Sequence, residues 1–172
     1  MGEFYRLPPT VGARIGRGTR PAGSLRRVTK YLYPPFSVTA DVAVFCTVDG
    51  DLQVLLIRRG KDPYGGCWAL PGGFVDIDED LDDAARRELE EETGLSGIEV
   101  RQLGAYGAPD RDPRGRTVSI AYTAVLPTPV EPAAGDDAAA AVWRSVADVL
   151  ADGEGLAFDH DRVLQDALAS LA

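Results

Sequence analysis

The chain contains the run Gly73-Phe-Val-Asp-Ile-Asp-Glu79-Asp-Leu-Asp-Asp-Ala-Ala-Arg-Arg87-Glu88-Leu89-Glu-Glu91-Glu92-Thr-Gly94-Leu95, and the expected architecture follows from it. Within the run, Leu81, Ala85 and Leu89 recur every four residues, which predicts a helix over 81–93 with one apolar face. Gly94 comes next, and glycine readily takes the left-handed conformation that ends a helix. The run therefore predicts a glycine turn, an acidic segment that contains Glu79 and leads into the helix (the approach), and one amphipathic helix.

Three glutamates of the predicted helix lie on one side of it, because Glu91 and Glu92 follow Glu88 by three and four residues. Like charges at this spacing oppose the helix by roughly 0.2–0.5 kcal/mol per pair, so a counter-charge is expected. Taken alone, the cluster is more typical of a solvated acidic face. The preceding turn, Trp68-Ala-Leu-Pro71-Gly72-Gly73, favours a metal site instead, because glycines let backbone carbonyls approach an ion. Oxygen ligands of this kind select Mg²⁺, with Mn²⁺ as an alternative.

The spacing G-x5-E-x7-R-E-L-x-E-E-x-G-L fills nine specified positions over 23 residues and resembles the box of the Nudix hydrolases. These enzymes split a nucleoside diphosphate linked to another group. The resemblance implies the Nudix fold, an α+β architecture in which a mixed sheet lies between helices as an α/β/α sandwich. We expect it to cover residues 36–172.

The resemblance also implies roles for individual residues. Metal ligands are expected from Glu88, Glu91, Glu92 and the backbone carbonyl of Gly72. The expected catalytic set is Glu88, Glu91, Arg87 and Glu79. Within that set Arg87 and Glu79 resemble an orienting ion pair, with an ordinary surface salt bridge as the alternative.

The identity of the general base stays open at this stage. The base is either Glu88 or an acid in a later loop. Many relatives carry a glutamate shortly before the tryptophan that corresponds to Trp143, where this chain has alanines. Asp136 and Asp137 are the nearest acids upstream, and either could instead cap a helix.

A charged loop indicates the substrate. Pro109 lies fifteen residues after Gly94, as in the ADP-ribose pyrophosphatase-like group of the family. Substrate-binding residues are expected among Pro109, Asp112, Arg114 and Arg116, because arginines pair well with phosphates. The alternative is a charged surface loop without a role.

The implied reaction is hydrolysis of ADP-ribose to AMP and ribose 5-phosphate. The alternatives are a nucleoside-triphosphate pyrophosphohydrolase and a non-catalytic ADP-ribose sensor. Regulators in this group add a C-terminal winged-helix domain, and we expect none here because the sequence reaches Ala172 directly after its closing helix.

The remaining elements follow from apolar patterning. Strands are expected over 38–48, 52–58, 98–106 and 117–126, with Asp49-Gly50 as a hairpin turn. Residues 137–143 are open: their composition favours a helix, whereas the resemblance places a strand near Trp143. A closing helix is expected over 161–171. His160, before it, is expected to cap or pack, with a ligand role as the alternative.

Composition limits the partners. The net charge of −9 argues against nucleic acid as the main partner and leaves a small nucleotide as the expected one. Residues 1–35 form a basic arm rich in proline and glycine, expected to be disordered or laid on an acidic neighbour. No apolar run approaches 18 residues, so no membrane span is expected, and two cysteines with no signal pattern favour the cytoplasm. The apolar segment 31–36 predicts a possible homodimer.

Overall fold

The structure is a computed structural model and describes residues 35–133, 138–153 and 155–171. Its strands are β1 (Ser37–Val48), β2 (Asp51–Arg59), β3 (Trp68–Ala69), β4 (Gly72–Phe74), β5 (Arg101–Tyr106), β6 (Thr117–Val125) and β7 (Ala138–Ser145). Its helices are α1 (Leu81–Thr93), α2 (Val146–Ala151) and α3 (His160–Ala169).

All seven strands belong to one mixed sheet, with β1 at its centre. The main path runs β3-β2-β1-β6-β5, while β4 pairs with β1 and β7 pairs with β2. Strand β1 is parallel to β6 and antiparallel to β2 and β4. Because β1 is buried along most of its length, it reads as a nearly continuous apolar run. Strand β1 therefore lies between the glycine turn on one edge and β6, the strand that follows the charged loop, on the other.

Helices cover both faces of the sheet. On one face, Ala85 and Leu89 of α1 are fully buried against side chains of β1, β2 and β6. On the other face, Val149 of α2 and Val163 and Leu164 of α3 pack on the sheet. This is the α+β arrangement expected from the sequence, with a mixed sheet between helices.

Helix α1 begins and ends where the sequence predicts. The side chain of Asp80 caps it by accepting a hydrogen bond from the Asp82 N–H at 3.1 Å, as N-cap aspartates do. Gly94 closes it in the left-handed conformation with φ 72°. The predicted apolar stripe is confirmed, with Leu81 packed at its edge.

Three expectations need correction. Residues 138–145 form a strand, so the helix favoured by composition is wrong and the strand that the resemblance implies near Trp143 is confirmed. The reason is that pairing with β2 overrides the helix propensity of the alanines. Strand β5 begins at Arg101 rather than Ile98, and the closing helix covers 160–169 rather than 161–171. The short elements β3, β4 and α2 were not predicted. Sequence patterns carry little signal for elements of two to six residues.

Several expectations fall on residues outside the described ranges: the basic arm up to position 34, most of the segment 31–36, and Asp136 and Asp137. Within the described ranges, no helix is long and apolar enough to cross a membrane. Cys46 is buried in β1, as its apolar surroundings predict.

Candidate active site

The glycine turn lies directly against helix α1 and strand β1. A Cβ atom added to Gly73 would collide with the carboxylate of Glu88, and one added to Gly72 would collide with the Ala40 carbonyl oxygen and the Asp41 carboxylate. The N–H of Gly72 donates a hydrogen bond to Oε2 of Glu92 at 2.9 Å. Only glycines fit here, and they bring backbone atoms next to two carboxylates.

Arg87 joins the turn, the approach and the helix through five hydrogen bonds. Its Nε and Nη2 atoms donate to the two carboxylate oxygens of Glu79, each at 2.8 Å. Nη2 also donates to the Phe74 carbonyl at 3.0 Å, while Nη1 donates to Glu88 at 2.7 Å and to Glu91 at 3.1 Å. This arrangement has the bidentate geometry that makes arginine–carboxylate pairs specific, unlike an isolated surface pair. Hydrogen bonds from Arg87 lower the pKa of Glu79, and hydrogen bonds to Glu79 raise the pKa of Arg87.

Glu88 and Glu92 are the two glutamates of α1 that face the turn. Burial raises the pKa of Glu92 to about 7, and the nearby charges of Glu88 and Asp41 act in the same direction. Burial also raises the pKa of Glu88, although hydrogen bonding to Arg87 partly opposes this. These two partly buried carboxylates resist ionising together, and a bound cation would stabilise their ionised forms.

The donor set fits a divalent metal ion through two side chains and the turn, with a smaller part for Glu91. Glu88, Glu92 and the Gly72 backbone supply hard oxygen donors of the kind Mg²⁺ and Mn²⁺ prefer. The side chain of Glu91 is 59% exposed and is bonded to Arg87. Within the described ranges, no three Asp, Glu, His or Cys side chains are gathered as a ready metal site. The structure thus brings Glu88, Glu92 and Gly72 together and leaves Glu91 at the edge.

A pocket of about 430 Å³ opens in front of these carboxylates. Glu88, Glu92 and Arg87 line it, together with Arg59 and Arg114. Burial lowers the pKa of Arg59, and the neighbouring charge of Arg114 lowers it further. Three guanidinium groups and four carboxylates therefore line the pocket, which suits a ligand that carries several negative charges together with cations.

The charged loop 108–116 contributes two of its four predicted substrate residues to the pockets. Arg114 lies over the rings of Phe74 and Phe158, at 4.9 and 5.5 Å from their centroids. It also forms an ion pair with the buried Asp112, at 2.7 Å. Burial raises the pKa of Asp112, but hydrogen bonds from Arg114 outweigh this and lower it overall. Asp112 and Arg114 line a smaller pocket of about 80 Å³ that adjoins the first.

The other two predicted residues lie elsewhere. Pro109 is exposed, and Arg116 lies over the Phe36 ring at 5.2 Å while donating to the Ala108 carbonyl. Neither lines the two pockets. Their assignment to the substrate stays a prediction.

Sequence reasoning missed a buried polar cluster, three members of which (Asp41, Arg111 and His160) line the smaller pocket. Arg111 forms a bidentate pair with Asp159, the shortest distance being 2.6 Å, and its Nη2 lies 3.8 Å from Asp41. Asp41 also accepts a hydrogen bond from Ser119. His160 is buried there, in agreement with the packing role expected of it. The available signal was Asp41 itself, a charged residue inside an otherwise apolar strand, since buried charges are paired.

Comparison with known proteins agrees with this geometry. The NUDIX domain model matches residues 38–167. An ADP-ribose pyrophosphatase from Methanocaldococcus jannaschii is 37% identical over 165 residues, which are 96% of this chain and 90% of that protein. The ADPR responsive transcriptional repressor NtrR from Acinetobacter baylyi is 37% identical over 149 residues, and the match covers 86% of this chain but 59% of the repressor.

A solved structure gives the same result for the fold. The NUDIX domain of Shewanella oneidensis NrtR, complexed with ADP ribose, superposes with a TM-score of 0.76 at 34% identity. The match covers 81% of this chain and 91% of that one. The chain belongs to the Nudix family. With its complete box and these relatives, it is a Nudix pyrophosphatase, a hydrolase that acts on acid anhydrides.

Proposed function

We propose that this hydrolase converts ADP-ribose and water to AMP and ribose 5-phosphate in a reaction that requires a divalent metal ion. The observation that carries the proposal is the pocket itself, which Glu88, Glu92 and the glycine turn line together with Arg59 and Arg114. A diphosphate ester held with metal ions needs carboxylates for the cations and guanidinium groups for the remaining phosphate charge. The similarity to an ADP-ribose pyrophosphatase over most of both chains supports the choice of substrate.

Each residue has a defined part in this reaction. Glu88, Glu92 and the Gly72 carbonyl would hold Mg²⁺, or Mn²⁺ in its place, and Glu91 would join them as a third carboxylate. A metal ion held there would supply an activated water molecule and would offset charge that develops on the diphosphate. Arg87 orients the Glu88 carboxylate from the side and keeps the turn against the helix. Arg59 and Arg114 bind the diphosphate through charged hydrogen bonds.

Glu88 is our candidate for the general base. Its carboxylate lies against Gly73 and lines the pocket, where a carboxylate can accept a proton from water. An acid in the segment 134–137 is the alternative, and those residues lie outside the described ranges.

A substrate panel tests the proposal. The purified protein is incubated with ADP-ribose, other nucleoside diphosphate derivatives and nucleoside triphosphates, with Mg²⁺, with Mn²⁺ or with excess chelator. We expect AMP and ribose 5-phosphate from ADP-ribose with either metal, and no turnover with the chelator. Triphosphates turned over far faster than ADP-ribose would favour the triphosphate pyrophosphohydrolase alternative. Full turnover in chelator would exclude the metal-dependent mechanism.

A sensor function is the second candidate, favoured by the similarity to the ADPR responsive repressor. A sensor would bind ADP-ribose without consuming it. Calorimetric titration with ADP-ribose in Mg²⁺, followed by chromatography of the same sample, separates the two functions. Recovery of intact ADP-ribose from a saturated complex would establish the sensor.

The assembly and location of the protein also stay proposals. A homodimer is supported by Phe36, which is 58% exposed at the start of the described chain. Light scattering at micromolar concentration that gives the mass of one chain would refute it. Cell fractionation tests the predicted cytoplasmic location.

A further inference from the structure

The imidazole of His160 lies beneath the turn that joins β3 to β4. The residue is 3% exposed, and its Nδ1 atom accepts a hydrogen bond from the Leu70 backbone N–H at 3.0 Å. Because Nδ1 is the acceptor, the proton of the neutral ring lies on Nε2, which is 3.8 Å from Oδ1 of Asp41. Burial lowers the pKa of His160 and so favours this neutral form.

The same turn is held at its other end by the proposed metal site. Gly72 pairs with Asp41 across the β1–β4 ladder and donates its N–H to Glu92. Between the two ends, the Pro71 carbonyl accepts a hydrogen bond from Val42 at 2.8 Å. The backbone from Leu70 to Gly72 is thus fixed residue by residue, and the Leu70 amide depends on a side chain that lies 90 residues further along the chain.

We propose that His160 is a positioning residue for the active site: its Nδ1 atom fixes Leu70 and thereby places Gly72 against Glu92. A buried N–H that loses its acceptor costs more than a lost surface contact, so the turn would shift to find another partner. A shift of this turn moves the Gly72 carbonyl and the amide that Glu92 accepts from. The contribution to turnover rests on the proposed hydrolase function, whereas the fixing of the turn does not.

Matched variants separate the acceptor from the bulk of the ring. His160→Asn places an amide oxygen close to the position of Nδ1 and keeps the acceptor. His160→Leu keeps an apolar side chain and removes it, and His160→Gln places its polar end near Nε2 instead. Tyr106→Phe is the control, because it removes the 2.8 Å hydrogen bond from the Tyr106 hydroxyl to Asp166 in the same helix without touching the turn.

The first measurement is amide hydrogen exchange in the metal-free protein. We expect the Leu70 and Gly72 amides to exchange roughly tenfold faster or more in His160→Leu, and within about threefold of the parent rate in His160→Asn and Tyr106→Phe. If His160→Leu does not fold, the comparison of His160→Asn with His160→Gln serves as the test, and we expect the Leu70 and Gly72 amides to exchange faster in His160→Gln. An unchanged exchange rate in His160→Leu overturns the proposal. An exchange rate in His160→Asn as fast as in His160→Leu or His160→Gln also overturns it.

The second measurement links the turn to the site. Mn²⁺ affinity without substrate, followed by electron paramagnetic resonance, is expected to weaken about three- to tenfold in His160→Leu and to recover in His160→Asn. With ADP-ribose, kcat is expected to fall by a similar factor while KM changes little. A rise in KM alone, with Mn²⁺ affinity and exchange unaltered, would contradict positioning. Absence of ADP-ribose turnover in the parent protein would remove the proposed function but leave the exchange result standing.

Discussion

Arg87 and Glu79 form a bidentate ion pair eight residues apart, with both nitrogen–oxygen distances at 2.8 Å. Glu79 lies in the approach to helix α1 and Arg87 lies inside the helix, so the pair closes the loop between them. The same guanidinium also reaches the Phe74 carbonyl and Glu88. The pair therefore braces the turn, the approach and a pocket-facing carboxylate as one unit.

Arg87→Ala is expected to lower kcat at least tenfold, because Glu88 and the turn lose their common partner; each charged hydrogen bond contributes about 1.5–3 kcal/mol. The matched control is Arg86→Ala, which removes only exposed pairs with Asp82 and Asp83 and should change stability by about 0.5 kcal/mol or less. Steady-state kinetics and thermal unfolding of both variants make the comparison. Equal losses of kcat in Arg87→Ala and Arg86→Ala would contradict a specific bracing role for Arg87.

The glutamates of α1 are expected to differ in importance. Glu88→Gln and Glu92→Gln keep the shape of the side chain but remove the charge that a metal needs, so each should reduce kcat by about a hundredfold or more. Glu91→Gln should cost less, because Glu91 is exposed and outside the pocket. Glu90→Gln is the control on the exposed side of the helix and should retain activity. Kinetics at saturating Mg²⁺ measure the order, and a loss in Glu91→Gln as large as that in Glu92→Gln would contradict it.

The helix and its glutamates could be predicted because their signals are local. The period of Leu81, Ala85 and Leu89 and the position of Gly94 define both ends of α1 within the run itself. Residues 138–145 show the opposite case. Four consecutive alanines favour a helix locally, and only the ladder to β2 makes them a strand.

The remainder of the site depends on pairings between distant parts of the chain. The parallel ladder between β1 and β6 brings Ser119 to Asp41, 78 residues away. The packing of α3 on the sheet brings His160 to Leu70. A local pattern cannot contain such contacts, so the partners of Asp41 and Arg111 could not be predicted from the sequence, and Arg59 carried no signal for the pocket.

The contribution of Glu92 to the stability of the metal-free protein is expected to fall as the pH rises from about 5 to 8. The pKa of Glu92 is about 7 in the folded chain, above its ordinary value, so the folded state binds more protons than the unfolded state in this range. The stabilising contribution of protonated Glu92 is fully present below the pKa of this group in the unfolded state. It is lost as the pH rises through the pKa of Glu92 in the folded state. Glu92→Gln should remove about 1–3 kcal/mol of this dependence. Urea unfolding of both proteins in chelator at pH 5.5 and 8 measures the difference; parallel pH curves would refute the assignment.

Arg114→Ala is expected to raise KM for ADP-ribose and to lower kcat/KM by about tenfold or more, because a charged hydrogen bond to the diphosphate contributes about 1.5–3 kcal/mol. Metal affinity should change little, since the Arg114 side chain is bonded to Asp112 and not to the glutamates of α1. Arg116→Ala is the matched control from the same loop, because Arg116 lies outside both pockets over Phe36.

Arg114→Ala also leaves the buried Asp112 without its ion pair, so thermal unfolding of the metal-free Arg114→Ala protein must accompany the kinetics. Arg114→Lys keeps the charge but loses the forked geometry and the stacking on Phe74, so it should recover only part of the loss. If Arg116→Ala raises KM as much as Arg114→Ala does, the substrate crosses the loop by a route other than this pocket.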